Sequence, residues 1–162
     1  MRALSLWQPW ASGIALGAKR IETRSWSTPY RGPIAIHAAK RWSGEQARAA
    51  LRLAEEDAPF REALLDQSAA GHPGPLAYPF GCVVAVAELT ACVPADGIDV
   101  TEREARWGDY SPGRFGWVLE KVQALVRPYP LVGRQGLWTL SPKEEDAVRD
   151  AILPGSSFGS DP

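Results

Sequence analysis

The run CVVAVAELTACV at residues 82–93 constrains the fold of this chain more than any other segment. It is almost entirely apolar or β-branched, a composition typical of a β-strand that is buried on both faces. Other strand candidates occur before and after it, and no regular series of crossover helices separates them. Because doubly wound parallel sheets need such helices, the pattern favours an α+β fold built on a mixed or antiparallel β-barrel.

The hydrophobic periodicity predicts the partners of this strand and the helices that flank them. Short strands are expected within residues 2–7, 19–26, 31–40 and 136–140, and a long strand within 114–126. Helices are expected from Pro9 to Gly17, in a helical insertion at about 43–75 that begins at the N-cap Ser43, and after the capping box of Ser141 and Glu144. Gly- and Pro-rich stretches predict a loop at 71–81 and a turn at 127–131. We expect a single domain over 1–152 and a disordered tail at 153–162.

The bulk composition limits the class of protein. No apolar run approaches the roughly 20 residues of a membrane span, and no signal peptide is recognisable. Cys82 and Cys92 lie ten residues apart without metal-site spacing, and only His37 and His72 accompany them, so we expect no metal and no cofactor. Two such cysteines are typical of a cytoplasmic protein. Motifs of the common nucleotide-binding, hydrolase and metalloprotease classes are missing from the sequence.

The charge is distributed unevenly along the sequence. The net charge is −1, but residues 1–42 carry seven basic residues and one acid, whereas residues 43–112 carry five basic and twelve acidic residues. A chain with a pI near 6 does not adhere to nucleic acid as a whole. The basic first segment can still form a basic face, unless the two segments mix their charges in space.

Within the basic segment, the stretch GAKRIETRSW at residues 17–26 carries Lys19, Glu22 and Arg24 in the spacing K-x-x-E-x-R. On an extended strand Lys19 would lie on the face opposite Glu22 and Arg24, whereas a turn before the strand would let Lys19 and Glu22 converge. A carboxylate between two cations stays ionised and can orient an arginine toward a phosphate or a base edge. A desolvated lysine could instead act as a general base. A solvated, ion-paired surface strand is the third alternative.

Seven tryptophans are many for 162 residues, and four of them lie in the basic first 42. Aromatic rings beside cations are typical of proteins that bind single strands or extruded bases, because rings stack on bases while cations hold phosphates. Trp117 and Trp138 are expected in the core. His37 could be a base-edge contact or a structural residue, and Glu88 could close a strand at the surface or lie in a groove.

Residues 4–40 closely resemble the activating signal cointegrator homology (ASCH) domain family, which belongs to the PUA-like superfamily. The residues that carry the resemblance are Gln8-Pro9-Trp10-Ala11, Gly17, Lys19, Glu22, Arg24, Trp26, Arg31-Gly32 and Ile34 to Ala38. The resemblance implies a PUA-like β-barrel with a cleft lined by Lys19, Glu22 and Arg24, and an RNA or DNA partner. In small amidohydrolases of the family a threonine replaces the motif glutamate. This sequence has Glu22 at that position, so the resemblance implies that it is closer to the cointegrator-like branch.

Two functions therefore remain open from the sequence, besides a purely structural or protein-binding domain. The first is a nucleic-acid-binding module that holds single-stranded RNA or DNA, or an extruded base with or without a modification, in a basic tryptophan-lined cleft. Its expected contacts are Trp7, Gln8, Trp10, Lys19, Glu22, Arg24, Trp26, Arg31, His37 and Lys40. The second is a hydrolase acting on a modified nucleoside such as acetylated cytidine, or a ribonuclease. Its expected catalytic residues are Lys19, Glu22 and Glu88.

Overall fold

The computed structural model describes residues 1–69 and 78–152 of the 162-residue chain. Within those residues, six strands alternate irregularly with five α-helices. The strands are β1 (Arg2–Leu6), β2 (Ile21–Arg24), β3 (Gly32–Ala38), β4 (Cys82–Pro94), β5 (Phe115–Pro130) and β6 (Leu137–Thr139). The helices are α1 (Trp10–Ala15), α2 (Gly44–Glu56), α3 (Ala58–Ala69), α4 (Glu102–Ala105) and α5 (Pro142–Asp150). The predicted loop at 71–81 and tail at 153–162 lie largely or wholly outside the described residues.

The six strands form one mixed sheet in the order β2-β5-β4-β3-β1-β6. The β1 and β3 strands are parallel, and every other neighbouring pair is antiparallel. The apolar strand β4 lies near the middle, as its composition predicts. The sheet curls into a half-barrel flanked by helices, which confirms the predicted α+β, PUA-like fold class.

Strand β5 corrects one expectation. The sequence RPYPL predicts a turn at 127–131, but the strand continues to Pro130, and Cys82 and Val83 of β4 pair with Pro130 and Tyr129. On its other side β5 pairs with β2 only over Phe115–Val118. Prolines are tolerated where a strand has one free edge, because their missing N–H would have faced away from the partner.

Apolar side chains pack on both faces of the sheet. One face, under α1, is filled by residues such as Leu4, Ile36 and Trp117, and the other, under α5, by residues such as Val83 and Trp138. Trp117 is fully buried and Trp138 is 7% exposed, as expected of core tryptophans. A third cluster joins α2 and α3 of the insertion to the segment that follows β4, so the insertion packs against the domain.

The helix caps follow the sequence signals. Ser43 caps α2 and forms a capping box with Gln46, and Ser141 forms the expected box with Glu144 at the start of α5. Gly17 follows α1 with a φ of +75°, a left-handed conformation that favours glycine. Within residues 1–69 and 78–152, no helix is long and apolar enough to cross a bilayer.

Candidate nucleic-acid interface

A cleft of about 410 Å³ opens between the sheet and the helical insertion. Its volume lies within the range of small-ligand sites. The lining residues come from the end of β1, the start of α1, β2, helix α2 and the segment before β5. They are Ser5, Leu6, Trp7, Trp10, Glu22, Thr23, Arg24, Arg52, Arg106, Trp107, Gly108, Asp109 and Arg114. The lining thus contains four arginines and two acidic residues, and three tryptophans form its apolar part.

Lys19 lies beneath this cleft and does not line it. Its side chain is fully buried, and Nζ donates to the carbonyl oxygens of Ile21 at 2.5 Å and Trp107 at 2.8 Å. Nζ also lies 3.4 Å from Oε2 of Glu22. Because Lys19 is fully buried and its ammonium group faces two carbonyl oxygens and the Glu22 carboxylate, its charge is directed into the protein and not toward a ligand in the cleft.

Glu22 and Arg24 form the floor of the cleft. Oε1 of Glu22 lies 3.1 Å from Nε of Arg24, so the carboxylate is held between Lys19 on the protein side and Arg24 on the cleft side. Arg24 also donates from Nη2 to the carbonyl oxygen of Ser5 at 2.9 Å. These two contacts fix the guanidinium and leave its other N–H groups for a ligand.

The wall formed by the segment before β5 is fixed through Thr23. Its hydroxyl accepts a hydrogen bond from the backbone N–H of Asp109 at 3.0 Å, and its carbonyl accepts one from Nη2 of Arg114 at 3.1 Å. Arg114 and Asp109 form an ion pair of 3.3 Å. The charges of these two residues therefore compensate each other, as those of Glu22 and Arg24 do on the floor.

Arg52 and Arg106 are the uncompensated cations of the cleft. Both side chains are exposed, and neither pairs with a carboxylate in the part of the chain that the structure describes. Arg106 donates to the carbonyl oxygen of Glu56 at 3.0 Å, which anchors it at the end of α2. Since the other cleft charges are paired, these two arginines give the cleft its net positive charge.

Asp57 ties the insertion to the segment that carries Arg106. Its buried carboxylate accepts two hydrogen bonds from Arg103, at 2.8 and 2.9 Å, and one from Nε1 of Trp107 at 3.2 Å. The backbone N–H of Phe60 donates to the same group at 3.0 Å. Burial opposes ionisation of Asp57, but these donors outweigh it and hold the pKa of the carboxyl below its usual value.

The tryptophans divide between cleft and core. The indole of Trp7 is 45% exposed at the cleft, Trp10 is half-buried there, and Trp107 contributes a buried ring. Trp26 does not line the cleft. Its ring packs edge-on against Trp117 at 4.7 Å between centroids.

Five other candidates from the sequence do not line the cleft. Gln8 is buried and braces α1, donating to the carbonyl of Pro79 and accepting from the N–H of Ser12. His37 is buried beside Trp138 on the α5 face of the sheet, 2.9 Å from the carbonyl of Leu131. Arg31 and Lys40 are exposed, and Arg31 donates hydrogen bonds to carbonyl oxygens of its own loop. Glu88 lies in β4, opposite Pro33 of β3 and Glu120 of β5.

The sequence reasoning missed five charged or aromatic residues that line the cleft. These are Arg52, Arg106, Trp107, Asp109 and Arg114. Arg52 belongs to the solvent side of an amphipathic helix, Arg106, Trp107 and Asp109 to a segment without periodicity, and Arg114 to the start of a predicted strand. Among the described residues, no cluster of three or more His, Cys, Asp or Glu side chains has the arrangement of a metal site.

Solved structures with the same fold include the ASCH protein from Zymomonas mobilis. The wild-type protein aligns with a TM-score of 0.54 and 16% identity, and two of its single-substitution mutants align with TM-scores of 0.53 and 0.52 and 18% identity. Each alignment covers 94% of this chain and 95–98% of the other. At such low identity the likeness concerns the fold.

The sequence comparison gives the family. The ASCH domain model matches residues 4–128, and the chain therefore belongs to the ASCH domain family. The chain is also 29% identical over 150 residues to activating signal cointegrator 1 of Mus musculus and of Homo sapiens. That alignment covers 93% of this chain but 24% of each relative, so the chain spans about a quarter of their length.

Proposed function

We propose that this ASCH domain binds single-stranded RNA or DNA and that the cleft receives one nucleotide of the strand. The observation that carries the proposal is the combination of two uncompensated arginines, Arg52 and Arg106, with the tryptophan walls of the cleft. Arginines hold phosphate oxygens and indole rings stack on bases, so this wall chemistry suits a nucleotide. Membership in the ASCH family and similarity to a signal cointegrator agree with a nucleic-acid-related role.

In this proposal the two regions of the cleft have different tasks. Arg52 and Arg106 bind the phosphate, and Trp7 or Trp10 stacks on the base. On the floor, Glu22 offers carboxylate lone pairs and Arg24 offers N–H groups, so the base edge can both donate and accept hydrogen bonds. Lys19 acts through Glu22 and touches no ligand. Trp26, Arg31, His37 and Lys40 are not needed for this site.

Binding should be tested by fluorescence anisotropy with short labelled single-stranded RNA, single-stranded DNA and duplex. We expect both single strands to bind more tightly than duplex. The log of affinity should fall linearly with the log of salt concentration, with a slope of about −0.7 for each phosphate engaged. A location in the cytoplasm, where RNA is the main single-stranded polymer, would favour RNA as the partner.

A matched pair of variants tests the cleft itself. Arg48 and Arg52 lie one turn apart on α2 and are both exposed, but only Arg52 lines the cleft. We expect Arg52→Ala to weaken binding and to reduce the salt slope by about 0.7, whereas Arg48→Ala leaves both close to wild type. Equal effects of the two substitutions would refute binding in the cleft and leave a diffuse electrostatic contact.

Hydrolysis of a modified nucleoside or of RNA is the competing function. Of the candidate catalytic residues, Glu22 lines the cleft, Lys19 is enclosed beneath it, and Glu88 does not line it. Mass spectrometry of saturated samples, including one with acetylated cytidine, measures turnover. Ligand recovered intact supports a binding module. Consumption that stops in Glu22→Gln would replace the binding proposal with an enzymatic one.

A further inference from the structure

Trp7 and Arg41 form an exposed stack beside the cleft. The guanidinium carbon of Arg41 lies 4.8 Å from the centroid of the Trp7 ring, within the range of a cation–π interaction. Trp7 lines the cleft, whereas Arg41 lies outside it. An arginine stacked in this way keeps its N–H groups in the plane of the guanidinium, where they can donate to phosphate oxygens.

The fold holds the two side chains together. The β1 and β3 strands are parallel and end side by side, with Leu6 opposite Ala38. The N–H of Ala39 donates to the carbonyl of Leu6 at 2.8 Å and continues the pairing past the strand ends. Trp7 and Arg41 therefore both follow the C-terminal ends of these two strands, one and three residues after the paired positions Leu6 and Ala38.

The backbone on both sides of Arg41 is anchored. The stem of Lys40 lies against Gly81, so closely that a Cβ at residue 81 would be 2.6 Å from Cε of the lysine. The Trp42 ring packs on Tyr78 and Phe80, with centroid distances of 5.7 and 5.5 Å. A residue between two anchored neighbours loses less conformational entropy when it binds a ligand, so Arg41 is preorganised for binding.

We infer that the Trp7–Arg41 stack is the subsite for a second nucleotide, next to the one in the cleft. Arg41 has no carboxylate partner within residues 1–69 and 78–152, so its charge is available to the connecting phosphate. The exposed part of the Trp7 ring is available to the second base, and Trp10 is then the ring that stacks on the base in the cleft. The stack is continuous with the cleft through Trp7. The ligand is then a single strand of two or more nucleotides and not a free nucleotide.

This inference rests on the proposed function and deepens it. Stacking of one base on an aromatic side chain corresponds to a gain in affinity of roughly 5- to 150-fold. A strand that reaches the stack should therefore bind more tightly than a mononucleotide by about that factor. A cleft that accepts isolated nucleosides would show no such gain.

The test compares 5′-phosphorylated mononucleotides with 5′-phosphorylated dinucleotides of each of the four bases, by competition against a labelled single strand. The quantity measured is the ratio of dinucleotide to mononucleotide affinity. We expect a ratio of about 5 or more for the wild type. For Arg41→Ala and Trp7→Ala the ratio should fall toward about 1, because the second nucleotide loses its phosphate contact in the first variant and its stacking partner in the second. Arg41→Lys keeps the charge but loses the planar stack, so its ratio should lie between the two. Arg48→Ala controls for the loss of one exposed positive charge.

Each outcome decides one proposal. If the wild type binds mononucleotides and dinucleotides equally, or if Arg41→Ala and Trp7→Ala keep the wild-type ratio, the second subsite is refuted while binding in the cleft remains. If neither ligand competes with the labelled strand, the proposed function itself fails. Circular dichroism of each variant establishes that the domain is folded, so that a lost ratio is not due to unfolding.

Discussion

Replacing Lys19 by methionine tests whether this lysine stabilises the domain or contacts a ligand. Methionine fills a similar volume, but it removes the ammonium group that lies between two carbonyl oxygens and Glu22. A buried acceptor that loses its donor costs about 1–3 kcal/mol. Breaking a buried ion pair by removing one partner costs about 3–5 kcal/mol. Because the two costs overlap at one site, we expect a total loss of about 3–5 kcal/mol.

Such a loss is large for a domain of this size. Unfolding free energies are typically about 5–15 kcal/mol, and about 1 kcal/mol shifts the melting temperature by roughly 2–4 °C at this length. Lys19→Met should therefore melt roughly 6–20 °C below the wild type, as followed by circular dichroism. Lys143→Met removes an exposed lysine and serves as the matched control, with a shift near zero. A variant of Lys19 that melts within about 2 °C of the wild type would refute the structural role.

Three further predictions concern the walls and the core. Asp57→Ala should lower the unfolding free energy in urea by about 2–3 kcal/mol, because it removes four hydrogen bonds, three of which join the insertion to the domain. An unchanged urea midpoint would contradict this. Gly13→Ala should destabilise the domain by about 1–3 kcal/mol, because the added Cβ clashes with the Trp107 ring; a stable variant would mean that the ring moves freely. Burial lowers the pKa of His37 below its ordinary 6.5, although the hydrogen bond to Leu131 opposes this shift. As the pH drops below about 6.5, the unfolded chain therefore takes up a proton before the folded one, and the free energy of unfolding decreases. His37→Gln should flatten this part of the stability-versus-pH curve, and an equally steep curve would assign the effect to another group.

Local signals predicted the elements of the fold well. Ser43 and Ser141 cap helices as their sequence contexts indicate, and Gly17 ends a helix, because caps depend on a few adjacent residues. The full length of strand β5 was harder to predict, because the prolines at 128 and 130 are typical of a turn. What allows them in a strand is the free edge beyond β2, and that edge depends on which strands become neighbours.

The site was predicted in part for a similar reason. The alternation of a strand would separate Lys19 from Glu22, but β2 begins only at Ile21, so the turn before it brings the two charges together, as the second alternative states. Arg52 and Arg106 gave no local signal. An exposed arginine on an amphipathic helix looks the same whether it faces solvent or a cleft. The packing of the insertion against the domain, through the apolar cluster with Trp107 and through Asp57, places them there.

The spacing of Lys19, Glu22 and Arg24 then has a physical meaning. The exposed fraction of the side chain rises from 0% for the lysine to 10% for the glutamate and 26% for the arginine, so the charges lead from the interior to the cleft. The buried lysine pairs with the glutamate, and the glutamate pairs with the arginine that faces the ligand. The innermost charge thus orients the site without being part of the contact surface, and a substitution of Lys19 should affect stability before it affects recognition.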